Sequence, residues 1–558
     1  MKLHYLLFVI ILFFCFPAKA ENRVYERVYV HTDKDCYIAG EDIRLKIYVI
    51  DSHFQPSDLS KVGYVEICNT EKPLLQIKVA LENGGGAGKI EIPTDIPSGI
   101  YQLSGYTRYM RNEGEKVFFQ KQIAIVNAEQ QTLELQRFEL IEKPEPAYST
   151  KPEAANVLIK TSQSEYGNRE KVVLSIDHIP ANTADLVISV SRNDTIAETP
   201  EINNQEWLKQ VNATLPFSQQ WTPEYEGHII TGRLAPEPQE KLSASVAFAG
   251  NDVRYFGGQI NTQTNTVNFY TADLFGPQQI VTSAISPGYY DKVPYRIDLL
   301  SPFSESLPAS LPVLPIYRNE GQLMERYLGV QMQKKIDSKT IDNFTQTPND
   351  RTFQPVLSYD LDEYTRFNTI SETILEFINK VSVIRMQDKR KISVYIDEEQ
   401  RSSQRTLVLL DGIPVYDHQD ILNYNPMYIK RINIYNECFT FGGNDFDGIV
   451  SFLTREGNLP FFQLSNESQL FNYDCPQLPS LFDAPDYSTQ PAKNSRKPDF
   501  RHTLYWNPFV QFTTGQPVHL SFYTSDLCGL FKVAVEGITT DGEMVQGSIN
   551  FQVATLSK

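Results

Sequence analysis

The chain has 558 residues, of which 41% are hydrophobic, 12% aromatic and 21% charged, and it carries a formal net charge of −17. That length exceeds what one hydrophobic core organises, so several domains are implied, and the aromatic-rich, moderately charged composition excludes a wholly disordered chain. The negative balance repels a phosphate backbone, which excludes nucleic acid as the expected partner.

Met1–Ala20 holds a basic residue near its start, an apolar run from Tyr5 to Phe16, and Ala18-Lys19-Ala20 as a small-x-small cleavage site. This pattern predicts a secretory signal removed after Ala20. The run is shorter than the roughly 20 apolar residues a membrane helix needs, so no transmembrane span is expected in the mature chain. Five cysteines follow it: Cys36, Cys68, Cys438, Cys475 and Cys528. Cys36 and Cys68 are the only pair within one predicted domain, and the alternative to bridges is a set of unpaired thiols.

Residues 21–127 and 153–225, separated by a Glu- and Pro-bearing linker over 128–152, contain an internal echo. Thr32, Tyr37, Glu41 and Leu45 recur in register as Thr161, Tyr166, Glu170 and Leu174, an offset of 129 residues. Apolar residues alternate in the strand after each turn, which predicts two sandwiches of related design. Val28-Tyr-Val-His-Thr-Asp33-Lys34, Tyr37, Gly40-Glu41 and the later Pro97-Ser98-Gly99 with Tyr101 resemble the second domain of α2-macroglobulin-like proteins. The stretch from Asn156 to Asn193 is similar to the next macroglobulin domain.

Alternating strands at Gly227–Arg233, Ala244–Phe248 and Val267–Tyr270 place a further β-domain over 226–302, which resembles the small carboxypeptidase-regulatory-like sandwich. A connecting segment over 303–350 is expected to be partly helical, with Leu323, Tyr327, Leu328 and Val330 at helical spacing. Over 351–458, an amphipathic helix from Ser371 to Val381 precedes strands at Val381–Ile384, Ile392–Ile396, Thr406–Leu410 and Ile429–Tyr435, an α+β pattern. Thr406–Val415 with Asp411-Gly412, and Tyr435–Thr454 with Gly442-Gly443, resemble the plug domain of TonB-dependent transporters. The 101 residues after Gly457 are expected to be too few for the barrel such transporters need. Residues 459–499 read as a Pro/Ser/Asn-rich linker, and 500–558 as a terminal β-unit similar to the Trp-bearing core segment of macroglobulin proteins.

The expected fold class is therefore multidomain and mainly β: tandem macroglobulin/Ig-like β-sandwiches, a small α+β plug-like domain and a terminal β-unit. The order of these parts resembles envelope proteins of Bacteroidota.

Trapping macroglobulins use a Cys-Gly-Glu-Gln thioester, and no cysteine here has that context. The run Gly84–Lys89 lacks the first glycine and the Ser or Thr of a phosphate loop, so a glycine turn before a strand is expected. The seven histidines after the signal, His31, His53, His178, His228, His418, His502 and His519, share no metal-ligand spacing and are expected at the surface or half-buried. Neither Asn444–Gly448 nor Asp360–Glu363 completes a calcium loop. No catalytic, cofactor-binding or metal residues are therefore assigned. The residues singled out for partner binding are Asp411, Gly412, Tyr505, Trp506 and Pro508, because aromatics in desolvated contacts concentrate binding energy. The competing reading of Trp506 is a core tryptophan of a sandwich.

These features predict a non-enzymatic scaffold in the periplasm or at the outer membrane, bound to an envelope protein such as an outer-membrane barrel through the plug-like domain. The alternatives are a macroglobulin-like binder of proteases or exported polypeptides that lacks the thioester, and a hydrolase with a dispersed site.

Overall fold

The computed structural model describes residues 24–129, 138–141, 156–193, 196–197, 215–237, 242–286, 293–317, 320–337, 353–386, 389–464, 468–480, 482–513, 515–541 and 543–554. The expected signal segment and most of the linker over 128–152 lie outside these residues.

The echo is a repeated set of hydrogen bonds. The hydroxyls of Thr32 and Thr161 donate to the carbonyls of Lys34 and Gln163, two residues on. The backbone N–H groups of Lys34 and Gln163 donate to the phenol oxygens of Tyr37 and Tyr166. The carboxylates of Glu41 and Glu170 accept from the N–H groups of Ile38 and Gly167. Each turn leaves the same backbone donors without a strand partner, and the same side chains satisfy them.

From these turns two sandwiches grow with one topology. The first is built in chain order from Glu26–Thr32, Cys36–Ile38, Asp42–Asp51, Val62–Cys68, Pro73–Ala80, Gly85–Glu91, Gly99–Thr107 and Phe119–Val126. Strands one, three and six form one sheet, and two, eight, seven, four and five form the other. Leu45, Ile47, Tyr64, Ile67 and Leu103 meet between them. The expected glycine turn lies at Asn83 and Gly84, both at positive φ. Past it Gly86 lets two strands approach, since a Cβ there would lie 2.4 Å from the Ala80 carbonyl oxygen.

The second sandwich repeats that order with Leu158–Thr161, Glu165–Tyr166, Lys171–Asp177 and Thr183–Arg192, followed by Thr503–Asn507, Val518–Tyr523, Gly529–Thr539 and Met544–Val553. The segment expected as a separate terminal unit over 500–558 thus supplies strands five to eight of the sandwich expected to end within 153–225. Four strands alone leave Val172, Leu174, Ile176, Leu186, Ile188 and Val190 as an uncovered apolar face. Leu504, Phe531, Val533 and Val535 are the residues that cover it. Residues 193–502 are an insertion between the fourth and fifth strands, and its ends meet where the Arg192 N–H donates to the His502 carbonyl at 2.8 Å.

Within the insertion, a seven-stranded sheet runs in the order Arg296–Leu299, Ile229–Ala235, Thr266–Tyr270, Tyr255–Asn261, Ser243–Phe248, Pro277–Ile285 and Gln469–Asp474. The last of these corrects the linker reading of 459–499. It pairs with Pro277–Thr282 and turns Phe471 and Tyr473 onto the core of the sheet, and its six residues stand among Pro, Ser and Asn that read as linker. The connecting helix spans Glu320–Asp337 and buries Arg326 and Val330, while Met324, Leu328 and Met332 face outward, so Leu328 lies on the opposite side from that expected.

The α+β unit has the sheet Leu357–Asp360, Ile429–Phe441, Asn444–Thr454, Leu407–Leu410 and Ile413–Pro414, and a second sheet of Val381–Met386, Lys389–Ile396 and Arg401–Ser402. Its helix Ile370–Phe377 starts at Thr369, whose hydroxyl accepts from the Glu372 N–H, and ends four residues before the expected Val381 because Ile378 is already extended. The unit is fused to the seven-stranded sheet through Ala247, Tyr255, Leu409, Phe446 and Ile449.

Candidate functional site

Several buried ionisable side chains sit at joints between domains, while others, such as Glu26 with Ser57, Ser60 and Thr107, are bonded within one domain. Between the two sandwiches, His31 Nδ1 lies 2.7 Å from the Glu536 carboxylate and Tyr29 donates to the same carboxylate at 2.8 Å. Burial raises the Glu536 carboxyl, but His31 and Lys121 outweigh it and bring it down to about 2. Lys46 donates to the Asp185 carboxylate and the Pro508 carbonyl, and burial lowers its ammonium to about 8.

Between the first sandwich and the seven-stranded sheet, Tyr64 donates to Glu224 at 2.9 Å, and Glu224 lies 2.8 Å from His228 Nδ1. Tyr473 is 2.5 Å from His228 Nε2, and burial lowers the His228 imidazole toward its neutral form. Arg326 of the connecting helix donates to both oxygens of Glu41 at 2.9 and 2.8 Å. Burial there is outweighed by Arg326 and Lys34, which hold the Glu41 carboxyl well below the usual range.

Glu41, Glu224, Glu536 and Lys46 bond partners within these joints, whereas His31 Nε2 is buried without a hydrogen-bond partner. Four of the histidines expected at the surface or half-buried, His31, His228, His418 and His502, are buried. Cys36, Cys68, Cys438, Cys475 and Cys528 are free thiols. Among the described residues no group of three or more His, Cys, Asp or Glu is placed to hold a metal ion.

The five residues singled out for partner binding also lie in internal contacts. Asp411 and Gly412 form the turn between Leu407–Leu410 and Ile413–Pro414, with φ of +46° and +80°, as a two-residue hairpin requires. The buried Asp411 carboxylate accepts from the Thr454 N–H, the Thr454 hydroxyl and the Leu459 N–H. Gly412 packs on the neighbouring sheet, where a Cβ would lie 2.5 Å from the Phe248 carbonyl oxygen. Trp506 is buried at the joint of the two sandwiches and stacks on His31 with ring centroids 5.7 Å apart. Tyr505 packs on Phe522 inside the second sandwich, and Pro508 is the carbonyl partner of Lys46.

Large apolar side chains are also exposed on the α+β unit. Asp362 accepts from Arg366 and Arg455; these bonds, Arg455 first, hold its carboxyl well below the usual range. Arg366 also donates to the carbonyls of Pro426 and Ile429, and Arg455 to that of Met427. The network therefore fixes the loop that presents Met427, 54% exposed, beside Phe461, 84% exposed, whose ring lies 5.2 Å from Tyr428. Tyr364, 40% exposed, stacks on Phe377 at 4.4 Å, with Phe367 at 6.0 Å from the same ring. The reading of aromatic anchors fell on Tyr505 and Trp506 because composition marks aromatic residues without saying which remain uncovered.

No protein-family model and no curated protein matches the sequence. Among solved structures, the chain aligns with α2-macroglobulin of Escherichia coli activated by porcine elastase at 8% identity and a TM-score of 0.25, over 95% of this chain and 44% of that one. The native conformation of the Escherichia coli protein gives 9% identity, a TM-score of 0.24 and coverage of 95% and 40%. Salmonella α2-macroglobulin reacted with methylamine gives 8%, 0.23, and 95% and 39%. The chain spans less than half the length of these proteins, and likeness at this level carries nothing about activity.

Proposed function

We propose that the chain is a non-catalytic binding protein of a bacterial cell envelope, and that its α+β unit docks on another envelope protein. The observation that carries this reading is the exposure of Tyr364, Met427 and Phe461 on that unit. Apolar side chains exposed to this degree and held by an ion network mark an interaction site more often than an ordinary surface. Ion pairs and hydrogen bonds such as Glu41–Arg326, Glu536–His31 and Tyr64–Glu224 tie the domains together, which suits a chain that presents a rigid surface. No helix among the described residues is long and apolar enough to cross a membrane.

The test places a photo-reactive phenylalanine analogue at position 364 of the full chain in intact envelopes. One crosslinked species is expected, and it should disappear on Phe461→Ser combined with Met427→Ser while the circular dichroism spectrum stays the same. A crosslinking pattern indifferent to the double substitution would refute the docking role. Stoichiometric inhibition of a protease by the purified chain would favour the macroglobulin-like alternative instead.

A further inference from the structure

A cavity of about 590 Å³ lies where the two sandwiches and the seven-stranded sheet converge. Its lining mixes apolar and charged residues, and the apolar ones come from all three: Ile50 and Leu81 from the first sandwich, Phe509 and Ile538 from the second, and Leu274 and Phe275 from the seven-stranded sheet. Pro476 and Leu478 cross over it on the segment after the edge strand. That segment is tied down on both sides, because the Gln477 side chain bonds both the N–H and the carbonyl of Lys89, and the Cys475 N–H donates to the Gly276 carbonyl. The volume falls in the range of sites that enclose small molecules, and a junction of domains is where such sites are common.

The charged residues of its lining are mostly acidic, with Lys61 the exception among them. Glu82, Glu226 and Asp273 line the cavity and are exposed. The cations nearby are engaged: Lys61 pairs with Asp58, and Lys46 with Asp185. His228, also on the wall, is held toward its neutral form by burial and adds no compensating charge. An anionic amphiphile entering this site would set its head group against three carboxylates, whereas an ammonium would be attracted by them.

We infer that the cavity binds an apolar primary amine, with its hydrocarbon among Leu81, Leu274 and Ile538 and its ammonium at the Glu82, Glu226 and Asp273 carboxylates. The site is separate from the exposed aromatic residues of the α+β unit and stands whether or not that unit docks on a partner. Two sources supply this chemistry: a free amphiphilic amine, and the N-terminus of a peptide that begins with apolar residues.

The experiment is calorimetric titration of the full chain with decylamine, decanoate, the peptide amide Leu-Phe-Leu and its N-acetylated form. Saturable one-to-one binding of decylamine or the free peptide is expected, with decanoate weaker by about tenfold or more and the acetylated peptide weakened likewise. The tighter of the two amines identifies the source. Glu82→Gln, Glu226→Gln and Asp273→Asn together should cost about tenfold in amine affinity and remove its dependence on salt. Ala80→Phe, which fills the cavity from its wall, should abolish binding, with Leu478→Trp as the second filling variant should the first not fold. Failure of both amines to saturate at about 1 mM, decanoate binding as tightly as decylamine, or an affinity untouched by a folded filling variant would each overturn the assignment.

Discussion

Glu536 is placed against His31 and Tyr29 across the joint of the two sandwiches. Its carboxyl sits at about 2 when folded and at 4.5 in the unfolded chain. The unfolded state therefore binds the extra proton between those values, so the contribution is fully present above pH 4.5 and is lost as pH falls toward 2. With the side chain 22% exposed, that contribution is on the order of 2 kcal/mol after allowance for solvent screening. Urea midpoints measured from about pH 6 to about pH 3 should fall along this limb, and Glu536→Gln should flatten it. At this scale the sequence was partly legible. Thr, Tyr and Glu recur at fixed spacing because each satisfies a backbone donor or carbonyl a few residues away, and such local demands leave a visible pattern. Trp506 had two readings open, and burial against His31 selects the core one. Nothing local to Asp411 signals that its carboxylate serves Thr454 and Leu459, which lie more than forty positions away.

Elements were legible where both period and covering partner are local. Strands such as Ile392–Ile396 and Leu407–Leu410 alternate or run apolar, and they form. The edge strand Gln469–Asp474 turns Phe471 and Tyr473 to the core, but this short alternation stands among Pro, Ser and Asn and reads as linker. The connecting helix shows a different gap: its spacing predicted a helix, but the sequence of the helix does not contain the position of Glu41, which decides that Arg326 turns inward and Leu328 outward. Joints between elements depend on close backbone contact. A Cβ on Gly257 would lie 2.0 Å from the Phe441 carbonyl oxygen, while its own strand would accept alanine without strain. Gly257→Ala should therefore loosen the contact between the seven-stranded sheet and the α+β unit and leave each sheet formed, costing about 1–3 kcal/mol. Calorimetry should show the single melting transition broaden or split, and amide exchange should rise at Asn444, whose side chain crosses to the Ala244 carbonyl. An unchanged melt would show that the contact tolerates the methyl group.

For the whole molecule, the second sandwich encloses the seven-stranded sheet, the connecting helix and the α+β unit within its own strand order. Periodicity predicts that a strand needs a partner, but it carries no address, so strands separated by residues 193–502 read as two units. The repeated topology makes a direct test available. Excising 193–502 and joining Arg192 to Thr503 by an Asn-Gly turn should give a folded pair of sandwiches, because those ends already pair. Its stability should be lower than that of the full chain, since Glu41 loses Arg326 and Tyr64 loses Glu224. Dispersed amide resonances and a cooperative melt would bear this out, and a molten, dye-binding product would refute it.

That enclosure also sets a schedule for synthesis. Emerging from the ribosome N-terminus first, Thr183–Arg192 must wait for more than 300 residues before Gly529–Thr539 arrives to pair with it. At about 5–20 residues per second the delay is roughly 15–60 s. Throughout that interval half a sandwich holds open strand edges and an uncovered apolar face, the condition in which chains aggregate or recruit chaperones. Slowing elongation within the inserted segment should therefore lower the yield of native protein more than the same pause placed before Glu26.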